Sequence, residues 1–342
     1  MRWVIVSLIA LSQAVAPSFP TAELANSNIR ATVQLPDPDA GYYRGTRFDW
    51  SGSILSLKWG GHDYFGQWFE KYDPKIHDAI TGPVEEFLTD DAGLGYAEAK
   101  PGEVFVRVGV GAVRKPDEPA YRRFETYDVV DHGKWSTRTL HDSIEFTHAL
   151  GDANGYGYVY RKTLRVSGNT LVLEHRLENT GRKTIATSVY DHNFFTLDGQ
   201  TTGPDAAVQF AFDPQAARPL NGLAETRGRE IRFLRPFESK DTVFTEVSGF
   251  GSTARDYDFR IENRRTGAGV HVTGDQPLAK LLFWSAWKTV CPEPYIDMRI
   301  EPGKAFTWRI TYEFYQASKA SASAGGRVPA PGSNAPLLTE TR

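Results

Sequence analysis

The chain of 342 residues holds one cysteine, Cys291, so no internal disulfide can form. Neither sign of charge dominates: 39 Lys and Arg against 42 Asp and Glu leave a net charge of −3. That balance gives no electrostatic reason to expect nucleic acid or an anionic membrane as a partner. Metal-finger spacing, HExxH, GxSxG and the phosphate-cradling P-loop are all missing. Nothing recurs at solenoid or propeller periods. No long stretch repeats apolar residues at helical spacing between caps. The one long apolar run, Trp3 to Ala16, is too short for a membrane span. With Arg2 before it and Ala14-Val15-Ala16 at its end, it reads as a secretory signal over residues 1–16, with Pro17 directly behind. No cysteine lies near enough to take a lipid anchor. A periplasmic or secreted protein is therefore expected, with no membrane span once the signal is removed. A retained signal-anchor is the alternative.

What is present is a globular composition: 40 % apolar, 13 % aromatic and 24 % charged residues, enough to bury a full core. Strand patterns dominate. In "TLVLEHRLEN" (170–179), Leu171, Leu173, His175 and Leu177 alternate with Val172, Glu174, Arg176 and Glu178. "FTWRITYEFY" (306–315) sets Trp308, Ile310, Tyr312 and Phe314 against Thr307, Arg309, Thr311 and Glu313. "EVFVRVGVGAV" (103–113) alternates bulky and smaller residues. Turn signals such as "VSGNT", "ENTGRKT", "RRTGAG" and "IEPGK" separate such runs. Many strands with short turns predict an all-β fold, a large antiparallel sandwich. One short helix is expected within "PVEEFLTDDAGLGYAEA" (83–99). Residues 17–40 read as an N-terminal extension and 41–316 as the folded domain. Residues 317–342 are small, polar and rich in Pro and Gly, and are expected to be disordered.

Three segments carry residues suited to chemistry. "YYRGTRFDWSG" (42–52) puts Arg44 and Arg47 among aromatic rings, and guanidinium forks with ring faces can grip hydroxyls or carboxylates. "SVYDHNFFTLDG" (188–199) places the titratable His192 in an aromatic setting between Asp191 and Asn193. "SAWKTVCPEPYIDMRIEPG" (285–303) sets Glu293 between two prolines, which fix the local backbone. Each also has a plain structural reading: a strand with exposed arginines, a satisfied core histidine, an ordinary loop.

Together these runs resemble the aldose 1-epimerase (mutarotase) family. "SVYDHNFFTLDG" is similar to its motif of a histidine followed by an aromatic pair and a glycine. "RRTGAGVHVTGDQPLAKLLFWS" (264–285), which ends on Trp284, is similar to its turn, strand and Gln-Pro segment. "CPEPYIDMRIEPGKAFTWRITYEFY" (291–315) resembles its C-terminal end, a glutamate followed by a Pro-Gly turn and an aromatic strand. The resemblance covers roughly residues 40–316 and is most specific in the second half. It implies a galactose mutarotase-like β-supersandwich and a sugar or oligosaccharide ligand. It further implies His192 as general acid, Glu293 as general base and Arg47 as a sugar-binding arginine. Asp256 or Asp258 matches a sugar-binding aspartate, with the register open, and Arg44 and Trp284 join the substrate-binding candidates. One departure stands out. Where the family has a His-Gly pair, "KIHDAITGPVEEF" sets His77 five residues before the glycine, with Glu85 and Glu86 beyond it. His77 and Glu86 are therefore candidates in their own right.

A carboxylate and an imidazole on either side of one sugar ring can open a hemiacetal and close it on the other face. That chemistry requires no cofactor and no metal. His175 reads as a packed core ring. His62, His132, His141, His148 and His271 have no evident partners in the sequence. Two other functions stay open: a sugar-binding protein without chemistry, and a glycan lyase or hydrolase accessory in which "YYRGTRFDW" grips a uronate. The oligomeric state is not read from the sequence.

Overall fold

The computed structural model describes residues 19–318. The expected signal segment and the tail from residue 319 onward lie outside them. Every strand pairing among the described residues is antiparallel, in four sheets. The longest, of ten strands, runs in spatial order Ala224–Arg227, Glu230–Phe233, Ala206–Phe210, Asp258–Asn263, Ala268–Gly274, Ala305–Gln316, Thr170–Asn179, Tyr156–Ser167, Ser143–Ala153 and Lys134–Thr139. The second, of six strands, runs Gln215–Ala216, Thr242–Ser248, Lys280–Ala286, Thr289–Ile300, Ile185–His192 and Val84–Leu88. A four-stranded sheet (Thr21–Ala25, Ile29–Gln34, Ile54–Trp59, His62–Phe65) and a three-stranded one (Val104–Arg107, Gly111–Arg114, Val129–Asp131) complete the set. Residues 21–34, set apart in the sequence as an extension, supply Leu24, Ile29 and Val33 to the main core.

The long patterned runs fold as their alternation requires. Leu171, Leu173, His175 and Leu177 are all buried, as are Trp308, Ile310, Tyr312 and Phe314. These faces meet Val189, Phe283 and Ile296 from the six-stranded sheet in one core, so the two large sheets form a sandwich. Two expectations fail. The run 83–99 holds no helix. Val84–Leu88 is instead an edge strand paired to Ile185–His192, with all five residues buried. A short apolar run covered on both faces looks the same in sequence as a buried helical turn, and the neighbouring strand decides between them. The second failure is 103–113, which is not one strand. It folds back as a hairpin between Val104–Arg107 and Gly111–Arg114. Gly109 sits at φ 79°, and a Cβ there would come within 2.6 Å of the Asp49 carboxylate, so only glycine serves.

Strand alternation divides the polar residues of the six-stranded sheet between two compartments. Glu85 and Asp191 point into the sandwich. There Glu85 meets Lys162 Nζ at 2.5 Å and His175 Nε2 at 2.7 Å, and the Tyr312 hydroxyl donates to Asp191. The His175 ring stacks on Trp308, with centroids 4.5 Å apart. Glu86, Tyr190, His192, Glu293 and Tyr295 point to the other side. That side is covered by a second aromatic cluster that includes Tyr43, Phe48 and Phe194.

Candidate active site

The floor of the site is built by strand register. Tyr190 pairs with Glu86 on one side and Tyr295 on the other, while Leu282 pairs with Glu293 and Trp284 with Cys291. His192 ends its strand two residues beyond Tyr190, paired with Val84. Its ring stacks on Phe194 at 3.7 Å between centroids and meets the edges of Phe48 and Trp284. The Nε2 atom lies 3.4 Å from Glu293 Oε1, and Nδ1 lies 2.7 Å from Cys291 Sγ. The Phe194 backbone N–H donates to that same sulfur. A thiol can donate to Nδ1 or accept from it, so Cys291 can accompany the ring through either charge state.

His192 and Glu293 open onto a cleft of about 380 Å³, also lined by Arg47, Trp68, His77, Asp78, Arg123, Phe124, Phe194, Phe244, Leu282 and Trp284. That volume and its aromatic lining suit a small organic ligand. Phe124 and Phe244 stand at the rim, 59 % and 44 % exposed.

Burial sets the charge states. Desolvation drives the His192 imidazole well below its usual value, and the Arg47 guanidinium adds to the effect. Burial pushes the Glu293 carboxyl up to about 7, against the pull of Arg47 and Arg123. Burial also raises the Cys291 thiol well above its usual range, so the sulfur stays protonated. Below about pH 7 the pair therefore holds one proton, on the carboxyl, and that proton leaves as the pH rises through about 7.

Beneath one wall lies Glu86, fully buried. Arg47 Nε donates to it at 2.9 Å, Arg123 donates through Nε at 3.0 Å and Nη2 at 2.8 Å, and Arg107 Nη2 lies at 3.4 Å. The Tyr190 hydroxyl donates to it as well. These guanidiniums hold the Glu86 carboxyl far below the usual range despite its burial. Glu86 thus anchors the arginines from below the cleft wall.

Of the residues chosen from sequence, His192, Glu293, Arg47, His77 and Trp284 meet in the cleft. His77 Nδ1 lies 3.5 Å from Arg47 Nη1, and its ring packs on Phe124. Three others go elsewhere. Arg44 turns away to the Asp39 carbonyl. Asp256 closes a loop on the Gly251 N–H, and Asp258 accepts from or pairs with His271 on the ten-stranded sheet. The "RDYDFR" run is a turn entering a strand of that sheet, so neither aspartate reaches the cleft. His192 and Glu293 also stand side by side, in contact, where the sequence reading set them on either side of a sugar ring. Arg123, Trp68 and Phe124 were missed. They lie in loops without periodicity, and only the fold brings them over the sheet.

His192, Cys291 and Glu293 offer three potential metal ligands within 4.8 Å of one another. Sulfur and carboxylate, however, address opposite nitrogens of the ring, which suits a hydrogen-bond chain more than a single chelated ion.

No protein-family model matches the sequence, and no curated protein matches it. Solved structures do match its shape. The GalM/aldose epimerase homologue from C. elegans superposes with a TM-score of 0.52 at 14 % identity, over 88 % of this chain and 100 % of that one. The galactose mutarotase related enzyme from Lactobacillus acidophilus gives 0.52 at 14 %, over 87 % and 98 %. The Slr1438 protein from Synechocystis gives 0.54 at 12 %, over 89 % and 99 %. The chain has the galactose mutarotase-like fold.

Proposed function

We propose that this chain, built on the galactose mutarotase-like fold, is an aldose 1-epimerase-type isomerase, with His192 and Glu293 as its proton-transfer pair. The observation that carries the reading is their 3.4 Å approach at the floor of a cleft of monosaccharide scale. Anomer exchange removes the proton from the anomeric hydroxyl and delivers one to the ring oxygen. Both oxygens are bonded to the same carbon, so an acid and a base standing side by side can serve both. Family resemblance assigns base to Glu293 and acid to His192. A carboxylate with an imidazolium carries the same proton count as a carboxyl with a neutral imidazole, so the resting state needs only an internal shift to reach that form. Ring closure on the other face reverses the roles. Trp284, Phe194 and Trp68 supply apolar faces for the sugar, and water excluded by them strengthens the hydrogen bonds of the pair. The apolar N-terminal stretch supports a periplasmic or secreted location.

Polarimetry or NMR exchange on freshly dissolved aldoses tests the reading. The wild-type chain accelerates anomer exchange, and Glu293→Gln or His192→Asn each lowers the catalysed rate by about 10²-fold or more. Saturable sugar binding without any acceleration supports instead a binding protein on the same fold.

A further inference from the structure

Three guanidiniums, those of Arg47, Arg107 and Arg123, gather around the single carboxylate of Glu86. One carboxylate cannot use them all. Arg107 spends its remaining donors on the carbonyls of Thr46, Phe87, Ala92 and Arg47, and is wholly enclosed. Arg47 and Arg123 differ: both line the cleft. Arg47 uses Nε on Glu86 and Nη2 on the Tyr190 hydroxyl, leaving Nη1 with only a 3.5 Å approach from His77. Arg123 uses Nε and Nη2 on Glu86 and Tyr190, and the Tyr295 hydroxyl also stands beside its guanidinium; no acidic side chain among the described residues meets its Nη1. Its side chain is a quarter exposed, the most open of the three.

The charge count points the same way. The acids beside these arginines are Glu86 beneath the wall and, in the lining, Asp78 and Glu293, the last with its carboxyl pushed up to about 7. The guanidiniums of Arg47, Arg107 and Arg123 share the one carboxylate of Glu86, which leaves positive charge in excess beside the proton-transfer pair. A neutral aldose would leave that charge unanswered in an apolar cleft, which is costly. A planar carboxylate matches both that excess of positive charge and the Nη1 groups that Arg47 and Arg123 bring to the cleft.

We propose that the cleft takes a sugar acid, a pyranose carrying one carboxylate, with that group held by Arg47 and Arg123 while the anomeric carbon faces His192 and Glu293. The proposal rests on the epimerase reading for the chemistry but not for the binding. Glu86 serves as a positioning residue that fixes both arginines.

The wild-type chain is assayed by NMR for anomer exchange of glucuronate and galacturonate against glucose and galactose, with glucose 6-phosphate as a further arm. Binding of each to the same protein is measured by titration calorimetry. The expected result is a kcat/KM for the uronates about tenfold or more above the parent sugars. Arg123→Lys and Arg123→Met then shrink that ratio, mainly through KM. A thermal melt identifies any variant that fails to fold, and the wild-type comparison stands without variants. Parent sugars turned over as well as uronates would overturn the sugar-acid assignment and leave the epimerase reading intact. A preference for the sugar phosphate would overturn the carboxylate. Uronate binding that depends on Arg123, without acceleration of any sugar, would sustain the anion site and sink the epimerase chemistry.

Discussion

Burial acts in opposite directions on the two groups at the cleft floor. It penalises charge on each, so the imidazole loses its proton easily and the carboxyl keeps its own. In the proposed epimerase reaction the productive form is the pair with one proton. Above about pH 7 the Glu293 carboxyl has released that proton, and the imidazole, held low, has not taken it up. The catalysed rate, expressed as kcat/KM after subtracting uncatalysed exchange, should therefore fall as pH rises through about 7. It should hold on the acid side until His192 also protonates. A rate that climbed through 7 would show that the active pair carries no proton. At this scale the motifs that singled out His192 and Glu293 led to two residues that the fold sets in one cleft. The sequence was silent on Arg123. That residue stands in "AYRRFETY", a charged loop whose side chains acquire meaning only when the loop closes over Glu86.

The strand Val84–Leu88 carries two carboxylates on neighbouring residues, one for each compartment. Glu85 is tied to Lys162 and His175 inside the sandwich, and these partners hold its carboxyl down at about 2. Removing one partner of such a buried pair strands a charge. Lys162→Met should therefore destabilise the fold by about 3–5 kcal/mol in urea melts, and the double variant with Glu85→Gln should recover part of that loss. A loss under about 1 kcal/mol for Lys162→Met would show that the ion pair adds little. The pattern of Thr170–Asn179 was legible because one buried face alternates with a polar one. Val84–Leu88 was not, since both its faces are covered and its two acids break any simple period. The hairpin at Gly109 escaped notice for a related reason: alternation continued across the turn and masked it.

For the whole molecule, buried acids of both kinds set the pH range of stability. Burial raises the Asp49 carboxyl from 3.8 to about 7. The folded chain thus keeps a proton there that the unfolded chain gives up. The stabilisation is complete below about 3.8 and is lost as pH rises to about 7. Glu85 and Glu86 act the other way: their contribution is present above about 4.5 and is lost as pH falls below that. The melting temperature should peak in mildly acidic solution, between these limits, and decline toward pH 8. Asp49→Asn should flatten the alkaline decline in thermal scans from pH 5 to 8, and an unchanged slope would rule out Asp49 as its source. The architecture was legible from sequence because many short alternating runs leave few alternatives to stacked antiparallel sheets. The packing of the 68–80 and 121–127 segments over one sheet face was not legible, because loops carry no period.

Asp191 and His192 are neighbours in the chain, yet one faces the sandwich and the other faces the cleft. A single inserted residue upstream in Ile185–His192 would exchange them, handing the aspartate to the ligand and walling in the imidazole. Drift in that strand is thus all or nothing, whereas the segments that roof the cleft can be rewritten piecemeal. For the proposed epimerase, new sugar preferences should arise by editing the roof while the proton-transfer pair beneath stays untouched.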